Sequence, residues 1–251
     1  MKHCRGGLFL SATLALLNKK KRDKTVSVVL AAAGDSVRFG RPKPLVTIDG
    51  RYLFEYSLSA FLTSHYVKDV VLAVRKDDEA LIQSILDRNF SKAPVRICLG
   101  GKSRDKSVLN AFLATDKSTD FVAFHDAARP LITTEDIDRV LQDAFLYGAA
   151  TAATPVVDSL KRAHGCVISQ DIDRENLYAV STPQVFLKDM YEVSRAVCKK
   201  DGFSSTDDNA YVTHAGFQVR ITSVTNNQKL TYPEDLGLIS LQLSSRKGAN
   251  V

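Results

Sequence analysis

The strongest constraint on the fold is the apolar run from Val26 to Leu30 and the loop that follows it. The run lacks the polar alternation of a half-exposed strand, which predicts a strand covered on both faces, as in a parallel α/β sheet. Loops at the carboxyl ends of such strands bind ligands in open α/β folds. This loop contains Gly34, Arg38, Arg41 and Lys43, so we expect its ligand to be an anion such as a phosphate.

Strands and helices alternate through the first part of the chain. After the first strand, apolar runs predict strands at 70–74, 95–99 and 121–124, and helical spacing predicts helices at 52–61, 78–89, 107–114 and 133–147. Thr133 and Asp136 form a capping-box pattern before the last of these helices, and Gly148 follows its expected end. The predicted fold class is therefore α/β, a Rossmann-like, mostly parallel twisted sheet flanked by helices.

The pattern changes after residue 150, where two stretches of β character, 150–163 and 166–168, flank Gly165. We expect a hairpin here, a protruding β-arm over about 154–178 that reaches a partner subunit, because an extended hairpin is only marginally stable alone. Further elements are predicted as a strand or loop entry that begins at 177–180, a helix at 187–198, a strand at 218–222 and a helix from Thr231 to about Leu243. The predicted organisation is one domain at 26–244 and a tail at 245–251.

Positive charge is concentrated at the N-terminus. Residues 1–25 contain seven Lys or Arg and one acid, so they account for the whole formal net charge of +6. The rest of the chain is balanced, which argues against nucleic-acid binding. The apolar run 8–17 is too short to span a bilayer as a helix, so no stable membrane association is expected. We expect a poorly ordered basic extension at 1–25 and a cytoplasmic protein, with organelle import through the extension as an open alternative.

The cysteines and histidines predict neither a metal centre nor a disulfide framework. The four cysteines are far apart and form no Cys-x-x-Cys pair, and the five histidines lack metal-ligand spacing. The chain also lacks the P-loop pattern and the Gly-x-Gly-x-x-Gly pattern. A P-loop NTPase and a dinucleotide dehydrogenase are therefore both disfavoured.

Polar residues follow two further predicted strands. Gly100 to Arg104 follows the third strand, with Ser107 near the next helix start, and His125 to Pro130 follows the fourth strand. Together with the first loop, these segments are expected to open on one edge of the sheet. Lysine and arginine side chains that converge there indicate a polyanion, most simply a nucleoside triphosphate.

Several segments resemble those of one nucleotidyltransferase family. Ala-Ala-Gly at 32–34, followed by Arg38 and Lys43, is similar to the nucleotide-binding loop of sugar-nucleotide pyrophosphorylases. The narrower resemblance is to the 2-C-methyl-D-erythritol 4-phosphate cytidylyltransferases and covers about residues 26–243. It rests on Gly-Gly-Lys-Ser-Arg-x-x-Ser-Val (100–108), His-Asp-Ala-Ala-Arg-Pro (125–130), Asp-Ser-Leu-Lys-Arg (158–162), Thr-Pro-Gln (182–184), Thr-Asp-Asp (206–208) and Lys-x-Thr-x-Pro-Glu-Asp-Leu (229–236).

The resemblance implies an enzyme of non-mevalonate isoprenoid biosynthesis that joins CTP to a sugar-alcohol phosphate with Mg²⁺, releases pyrophosphate and forms a homodimer through the β-arm. It implies that Arg38 and Lys43 contact the triphosphate and that Lys229 acts with Lys43 on the reacting phosphorus. The implied nucleotide-binding positions are Ala32, Ala33, Gly34, Gly100, Arg104 and Ser107. The implied substrate-binding positions are Asp126, Arg129, Ser159, Arg174 and Thr182, and Asp126 is also the candidate metal ligand.

The chain departs from the family pattern in its first loop, which is shorter between Arg38 and Lys43 than in many relatives. Asp35 and Ser36 stand where a second glycine is common, Pro44 where glutamine is common, and Ser159 where threonine is usual. An acid beside a triphosphate is unfavourable unless it faces away or helps to hold Mg²⁺. Two alternatives stay open: a ribitol 5-phosphate cytidylyltransferase, and a non-catalytic nucleotide-binding domain of the same fold.

Overall fold

The computed structural model describes residues 23–34, 39–40 and 42–248. Within these residues the strands are β1 (Val26–Ala31), β2 (Thr47–Ile48), β3 (Arg51–Tyr52), β4 (Val67–Val74), β5 (Val95–Leu99), β6 (Phe121–Asp126), β7 (Ala149–Pro155), β8 (Leu160–His164), β9 (Val167–Ile172), β10 (Tyr178–Leu187) and β11 (Arg220–Ser223). The helices are α1 (Leu53–Thr63), α2 (Glu79–Asn89), α3 (Arg104–Leu113), α4 (Thr134–Tyr147), α5 (Lys188–Lys200), α6 (Asp208–His214) and α7 (Asp235–Gly248).

Seven of the described strands form one sheet in the order β11-β7-β10-β6-β1-β4-β5. Strand β1 pairs in parallel with β4 and β6, and β4 pairs in parallel with β5. Strand β10 is antiparallel to both of its neighbours, β6 and β7, whereas β11 is parallel to β7. The predicted α/β class, a mostly parallel sheet with flanking helices, is confirmed.

Strand β1 is fully buried at its valine and leucine positions, as its unbroken apolar run predicted. Val26, Val28, Val29 and Leu30 are all fully buried in the main core. Helix α3 packs on β1, β4 and β5, and helix α4 packs on β7, β10 and β11. Because the core covers β1 from both sides, the loop after Ala31 leaves the sheet at a fixed position.

The predicted ends of α4 are confirmed. Thr133 Oγ1 accepts the amide of Asp136 at 3.1 Å, and Gly148 ends the helix in the left-handed region with φ 84°. The predicted start of the last helix at Thr231 is wrong. The amides of Thr231 and Tyr232 both donate to the carboxylate of Asp235, and α7 begins only at Asp235. The helix also continues to Gly248, beyond the predicted end near Leu243.

The stretch of β character predicted at 150–163 contains the end of one strand and most of the next, with a break at 156–159. Strand β7 ends at Pro155, and β8 and β9 pair only with each other in a separate two-stranded sheet. Most residues of this hairpin are exposed. The segment expected to begin a strand or a loop at 177–180 is a strand, β10, which continues through the cis Thr182–Pro183 peptide to Leu187, with an irregular register between Val180 and Gln184. The role of the hairpin as an arm toward a partner stays a prediction.

The fold begins earlier than the predicted boundary at Val26. Lys24 is only 3% exposed; its Nζ donates to the carbonyl of Phe145 at 2.6 Å and lies over the rings of Phe121 and Phe145. The carbonyl of Thr25 accepts the amides of Asp120 and Phe121, each at 3.0 Å. Residues 1–22 lie outside the described part of the chain, so the predicted extension and the cellular location stay predictions. No described helix is long and apolar enough to cross a membrane.

We expect Lys24→Ala to lower the free energy of unfolding by about 1–3 kcal/mol, because the buried carbonyl of Phe145 loses its donor. Chemical denaturation measures this change. Lys68→Ala is the matched control, since Lys68 is exposed on β4, and its expected effect is below about 0.5 kcal/mol. Equal denaturation midpoints for the two variants would contradict the role assigned to Lys24.

Candidate active site

The loops after β1 and β5 touch at the carboxyl edge of the sheet. A Cβ built on Gly100 would lie 2.5 Å from the Cβ of Ala33 and 2.9 Å from Oγ of Ser107, so a side chain at Gly100 would collide with both. Ala32 is buried beside them and donates to the carbonyl of Ala73 at 2.9 Å, whereas Gly34 is exposed. The predicted nucleotide-binding positions of these two loops are therefore neighbours in space.

Ser107 holds the shape of the loop between β5 and α3. Its hydroxyl donates to the carbonyl of Ser103 at 2.8 Å and accepts the amide of Gly101 at 3.0 Å. Ser103 itself caps α3 by accepting the amide of Lys106 at 3.1 Å. Since Ser107 is only 3% exposed, its observed contribution is to the backbone around Arg104, and its contact with a nucleotide stays a prediction.

Asp126, at the end of β6, lies among three cations of the described residues. Its Oδ2 is 2.8 Å from Nζ of Lys229 and 3.6 Å from Nε of Arg129, and its Oδ1 is 3.7 Å from Nε of Arg104. The cations come from α3, from the loop after β6 and from the loop after β11. We call Asp126, Arg104, Arg129 and Lys229 the charge cluster.

The surroundings of Asp126 keep its carboxyl group ionised. Burial raises its pKa, but the charges of Lys229, Arg104 and Arg129 outweigh burial and hold the pKa well below its usual range. Burial lowers the pKa of the Arg129 guanidinium, and Asp126 partly opposes that change. The charge cluster thus combines one carboxylate with an excess of positive charge, which suits an anionic ligand.

A second carboxylate, Asp208, orients Arg104. Nη1 of Arg104 donates to Oδ2 of Asp208 at 3.1 Å, and the hydroxyl of Tyr191 donates to Oδ1 of Asp208 at 2.7 Å. Burial raises the pKa of Asp208, which is 1% exposed, although Arg104 opposes that rise. The predicted site residues omit Asp208. The Thr-Asp-Asp segment at 206–208 was the available signal, but the sequence did not show that its last carboxylate faces Arg104.

Thr182, on β10, contacts the backbone of Asp126 and is only 4% exposed. Its Oγ1 accepts the amide of Asp126 at 3.1 Å, and its carbonyl accepts Nδ2 of Asn227 at 2.6 Å. The carbonyl of Asn227 in turn accepts Nη1 of Arg129 at 2.7 Å. Thr182 and Asn227 therefore connect β10 and the loop after β11 to the charge cluster, while direct contact of Thr182 with a substrate stays a prediction.

His125 is fully buried next to Asp126. Burial lowers its pKa to about 4, so the imidazole is neutral at neutral pH. Its ring nitrogens contact the hydroxyl of Thr182 at 3.0 Å and the carbonyl of Arg129 at 3.3 Å. A buried, neutral ring with both nitrogens engaged fits a structural position better than a catalytic acid or base.

Lys43 lies beside the segment that contains Lys229. It begins a short 3₁₀ helix, Lys43–Leu45, after the first loop. Backbone hydrogen bonds from Tyr232 lower the pKa of Asp235, and the charge of Lys43 lowers it further. The two lysines that the resemblance pairs are therefore on adjoining loops.

A second core, separate from the main one, packs these loops against each other. Leu230 belongs to it, and its amide donates to the carbonyl of Ala128 at 2.8 Å, which joins the residue after Lys229 to the residue before Arg129. Its buried members come from the first loop, β2, α1, the loop after β6, the Lys229 loop and α7: Phe39, Val46, Ile48, Leu53, Ala128, Leu131, Leu230, Ile239 and Leu243. Apolar packing thus fixes the backbone on which the cations lie.

Two described residues of the predicted site, Ser159 and Arg174, are not part of this arrangement. Arg38 lies outside the described residues, as does Asp35, so their roles stay predictions. Ser159 is exposed between β7 and β8, and Arg174 donates to the carbonyl of Val157 at the base of the hairpin. Among the described contacts of Asp126, none involves Ser159 or Arg174.

Asp126 is suited to be a carboxylate ligand of Mg²⁺. Nowhere in residues 23–34, 39–40 and 42–248 is a group of three His, Cys, Asp or Glu side chains placed to hold a metal ion. Mg²⁺ in nucleotide sites is typically bound by one or two carboxylates together with substrate phosphates and water. An ionised carboxylate at the edge of the sheet meets the protein side of that requirement.

Comparison with known proteins identifies the family. Residues 26–245 match the family model IspD, 2-C-methyl-D-erythritol 4-phosphate cytidylyltransferase. The chain belongs to this family. The protein of that name from Caldanaerobacter subterraneus subsp. tengcongensis is 35% identical over 223 residues, covering 87% of this chain and 98% of the relative. The chloroplastic protein of that name from Oryza sativa subsp. japonica is 32% identical, covering 90% of this chain and 76% of the relative.

A solved structure of this cytidylyltransferase family shares the fold. The crystal structure of the Thermus thermophilus protein superposes with a TM-score of 0.72 and 29% identity, covering 86% of this chain and 98% of that chain. The resemblance stated from the sequence is confirmed at the level of the family and the fold. The matched range includes the whole charge cluster, from Arg104 to Lys229.

At neutral pH we expect Asp126→Asn to lower the free energy of unfolding by about 1–3 kcal/mol, because three cations lose the charge between them. The folded-state pKa of Asp126 is depressed, so its contribution is present above the unfolded value of about 4 and is lost as the pH falls below it. Denaturation curves at pH 7 and under acid conditions measure both effects.

The matched control for that experiment is Asp77→Asn, since Asp77 is exposed. We expect the control to behave as the unaltered protein at both pH values. The assigned ionisation would be contradicted if Asp126→Asn and the unaltered protein had the same free energy of unfolding at pH 7. It would also be contradicted if the difference between their free energies of unfolding grew in acid.

Proposed function

We propose that the protein transfers CMP from CTP to 2-C-methyl-D-erythritol 4-phosphate and releases pyrophosphate, in non-mevalonate isoprenoid biosynthesis. The observation that supports this most strongly is the charge cluster at the carboxyl edge of the sheet, in a chain that belongs to the cytidylyltransferase family. The relatives bear the name of this activity.

The proposed reaction is a displacement at the α-phosphorus of CTP. An oxygen of the acceptor's phosphate monoester forms the new bond to phosphorus, and the bond to the β-phosphate oxygen breaks with its electron pair leaving on pyrophosphate. The attacking oxygen is already anionic at neutral pH, so the reaction needs no general base. This agrees with a site whose buried histidine is neutral and fully engaged.

The main difficulty of such a reaction is to bring several anions together and to stabilise the charge that develops around phosphorus. In the proposal, Lys229 and Lys43 meet the reacting phosphates together with Arg38. In the same proposal Arg104, on α3, meets the nucleotide, and Arg129, in the loop after β6, meets the acceptor. Asp126 holds Lys229, Arg104 and Arg129 in place before the substrates bind.

Mg²⁺ is part of the proposal, with Asp126 as its protein ligand. When bound, the ion would neutralise charge on the phosphates that it contacts. The low pKa of Asp126 supports this assignment, because the ligand must be ionised. Within the described chain, the remaining ligands would have to come from phosphate oxygens and water.

Pyrophosphate release from CTP, measured with each of two acceptors, tests the proposal. We expect turnover with 2-C-methyl-D-erythritol 4-phosphate and Mg²⁺ that clearly exceeds turnover with ribitol 5-phosphate. Turnover with ribitol 5-phosphate alone would establish the alternative acceptor. CTP binding without turnover on either acceptor would show a non-catalytic nucleotide-binding domain.

Replacing either lysine separates catalysis from folding. We expect Lys43→Ala and Lys229→Ala each to lower turnover by about 10²–10³-fold, because each removes a cation from the developing charge on phosphorus. Their effect on the free energy of unfolding should stay near or below about 1 kcal/mol, as for partly exposed ion pairs. Lys92→Ala, at an exposed lysine, is the control. Turnover of either site variant at the level of the control would contradict its role.

We further propose that two copies of the chain pair through the hairpin of β8 and β9, with Ser159 and Arg174 facing the partner's site. The hairpin and the segment that leads into it expose apolar side chains: Val167 and Ile168 on β9 are exposed by 72% and 64%, and Val157, before β8, by 75%. Exposed apolar side chains on a hairpin that pairs with no other strand are expected to pack against a second copy of the chain. Light scattering should show a dimer that Val167→Glu with Ile168→Glu dissociates and Val193→Glu, on α5, leaves intact. A monomeric unaltered protein would contradict the proposal.

A further inference from the structure

His125 precedes Asp126 on β6, and the proposed reaction gives it no part. Its ring is fully buried and packs edge-on against Phe61, with ring centres 5.1 Å apart. Buried polar atoms in folded proteins almost always have hydrogen-bond partners. Both ring nitrogens have one, and the partners lie on two different segments that border the charge cluster.

The partners determine which ring nitrogen is protonated. Nε2 lies 3.3 Å from the carbonyl oxygen of Arg129, which can only accept, so Nε2 must donate. Nδ1 lies 3.0 Å from Oγ1 of Thr182, and among the described contacts it is the one acceptor to which this buried hydroxyl can donate. The hydroxyl of Thr182 therefore donates to Nδ1. The same oxygen accepts the amide of Asp126 at 3.1 Å.

These hydrogen bonds form one directed chain around a turn. The amide of Asp126 donates to Thr182, Thr182 donates to Nδ1 of His125, and Nε2 of His125 donates to the carbonyl of Arg129. The amide of Arg129 closes the turn by donating to the carbonyl of Asp126 at 3.0 Å. The ring of His125 thus joins both ends of the turn to β10, and the side chains at those ends belong to the charge cluster.

We propose that His125, as the Nε2–H tautomer, is a positioning residue that fixes the turn from Asp126 to Arg129 in the geometry that acceptor binding requires. The inference rests on the proposed function, in which Arg129 meets the acceptor and Asp126 holds Arg129 in place. His125 contacts neither substrate and acts through the backbone of its neighbours. Ser57 also donates to the carbonyl of Arg129, at 3.1 Å, but it couples the turn to α1 instead of β10.

Two amide substitutions separate the two hydrogen bonds of the ring. The amide of His125→Asn occupies the position of Nδ1, so this variant keeps an acceptor for Thr182 and loses the donor to Arg129. The amide nitrogen of His125→Gln reaches the position of Nε2, so this variant keeps the donor. His214→Gln is the matched control, because His214 is exposed and bonds to Asp201 at 3.0 Å.

We expect His125→Asn to raise the KM for the acceptor about tenfold and to change the KM for CTP by less than about twofold, since the lost hydrogen bond supports only the acceptor side. His125→Gln should recover most of the loss, and His214→Gln should match the unaltered protein. An unchanged acceptor KM in His125→Asn would overturn the proposal. An equal rise of the KM for the acceptor and the KM for CTP would also overturn the proposal, because a residue that only stabilises the fold would affect both.

Nitrogen NMR of the unaltered protein with isotopically labelled histidine tests the tautomer independently of any variant's folding. The signals of His125 are those missing from the spectrum of His125→Gln. We expect a protonated Nε2 and an unprotonated Nδ1 at neutral pH, and a protonated Nδ1 would overturn the proposal. If the unaltered protein fails to turn over CTP with either acceptor, the proposed function fails; normal turnover with an unaffected His125→Asn overturns this inference alone.

Discussion

The carboxylate of Asp126 lies within 3.7 Å of Arg104, Arg129 and Lys229, which come from distant parts of the chain. Three positive charges gathered at one partly buried edge of a sheet would repel each other without a negative charge between them. The same cations keep Asp126 ionised, so the carboxylate and the three cations stabilise each other before a substrate binds. Phosphate oxygens can then bind to cations that are already in position. Cations that are positioned in advance stabilise developing charge most effectively.

The position of each cation follows from apolar packing. The buried strand β1 and the strands parallel to it bring the loops after β1, β5 and β6 to one edge of the sheet. Because Gly100 has no side chain, the loop after β1 can lie close to Gly100 and Ser107. The second core joins the residues next to Arg129 and Lys229, so that two loops far apart in sequence are packed against each other. Buried polar contacts complete the support: Asp208 with Tyr191 orients Arg104, and Thr182 with His125 holds the backbone of Asp126.

The sequence predicted the parts of this account that depend on local pattern. Three predictions of this kind are confirmed: the buried strand that begins at Val26, the helix that Thr133 and Gly148 delimit, and the family to which the chain belongs. It could not predict contacts between distant residues, such as Arg104 with Asp208 or Asp126 with Thr182, because no local pattern records which side chains will meet. It also did not predict that β10 continues past Pro183, because proline normally interrupts a strand ladder; here β7 pairs with β10 on both sides of the proline, and β6 pairs with it from Gln184 onward.

The most direct test is a crystal structure of the protein with CTP bound in the presence of Mg²⁺. The account predicts that an oxygen of the α-phosphate lies about 3 Å from Nζ of Lys229, within hydrogen-bond reach, and that Arg104 remains paired with Asp208 on the nucleotide side. It also predicts that the face of Arg129 next to Asp126 stays open for the acceptor. A triphosphate bound away from the charge cluster, with Lys229 still paired only to Asp126, would contradict the account.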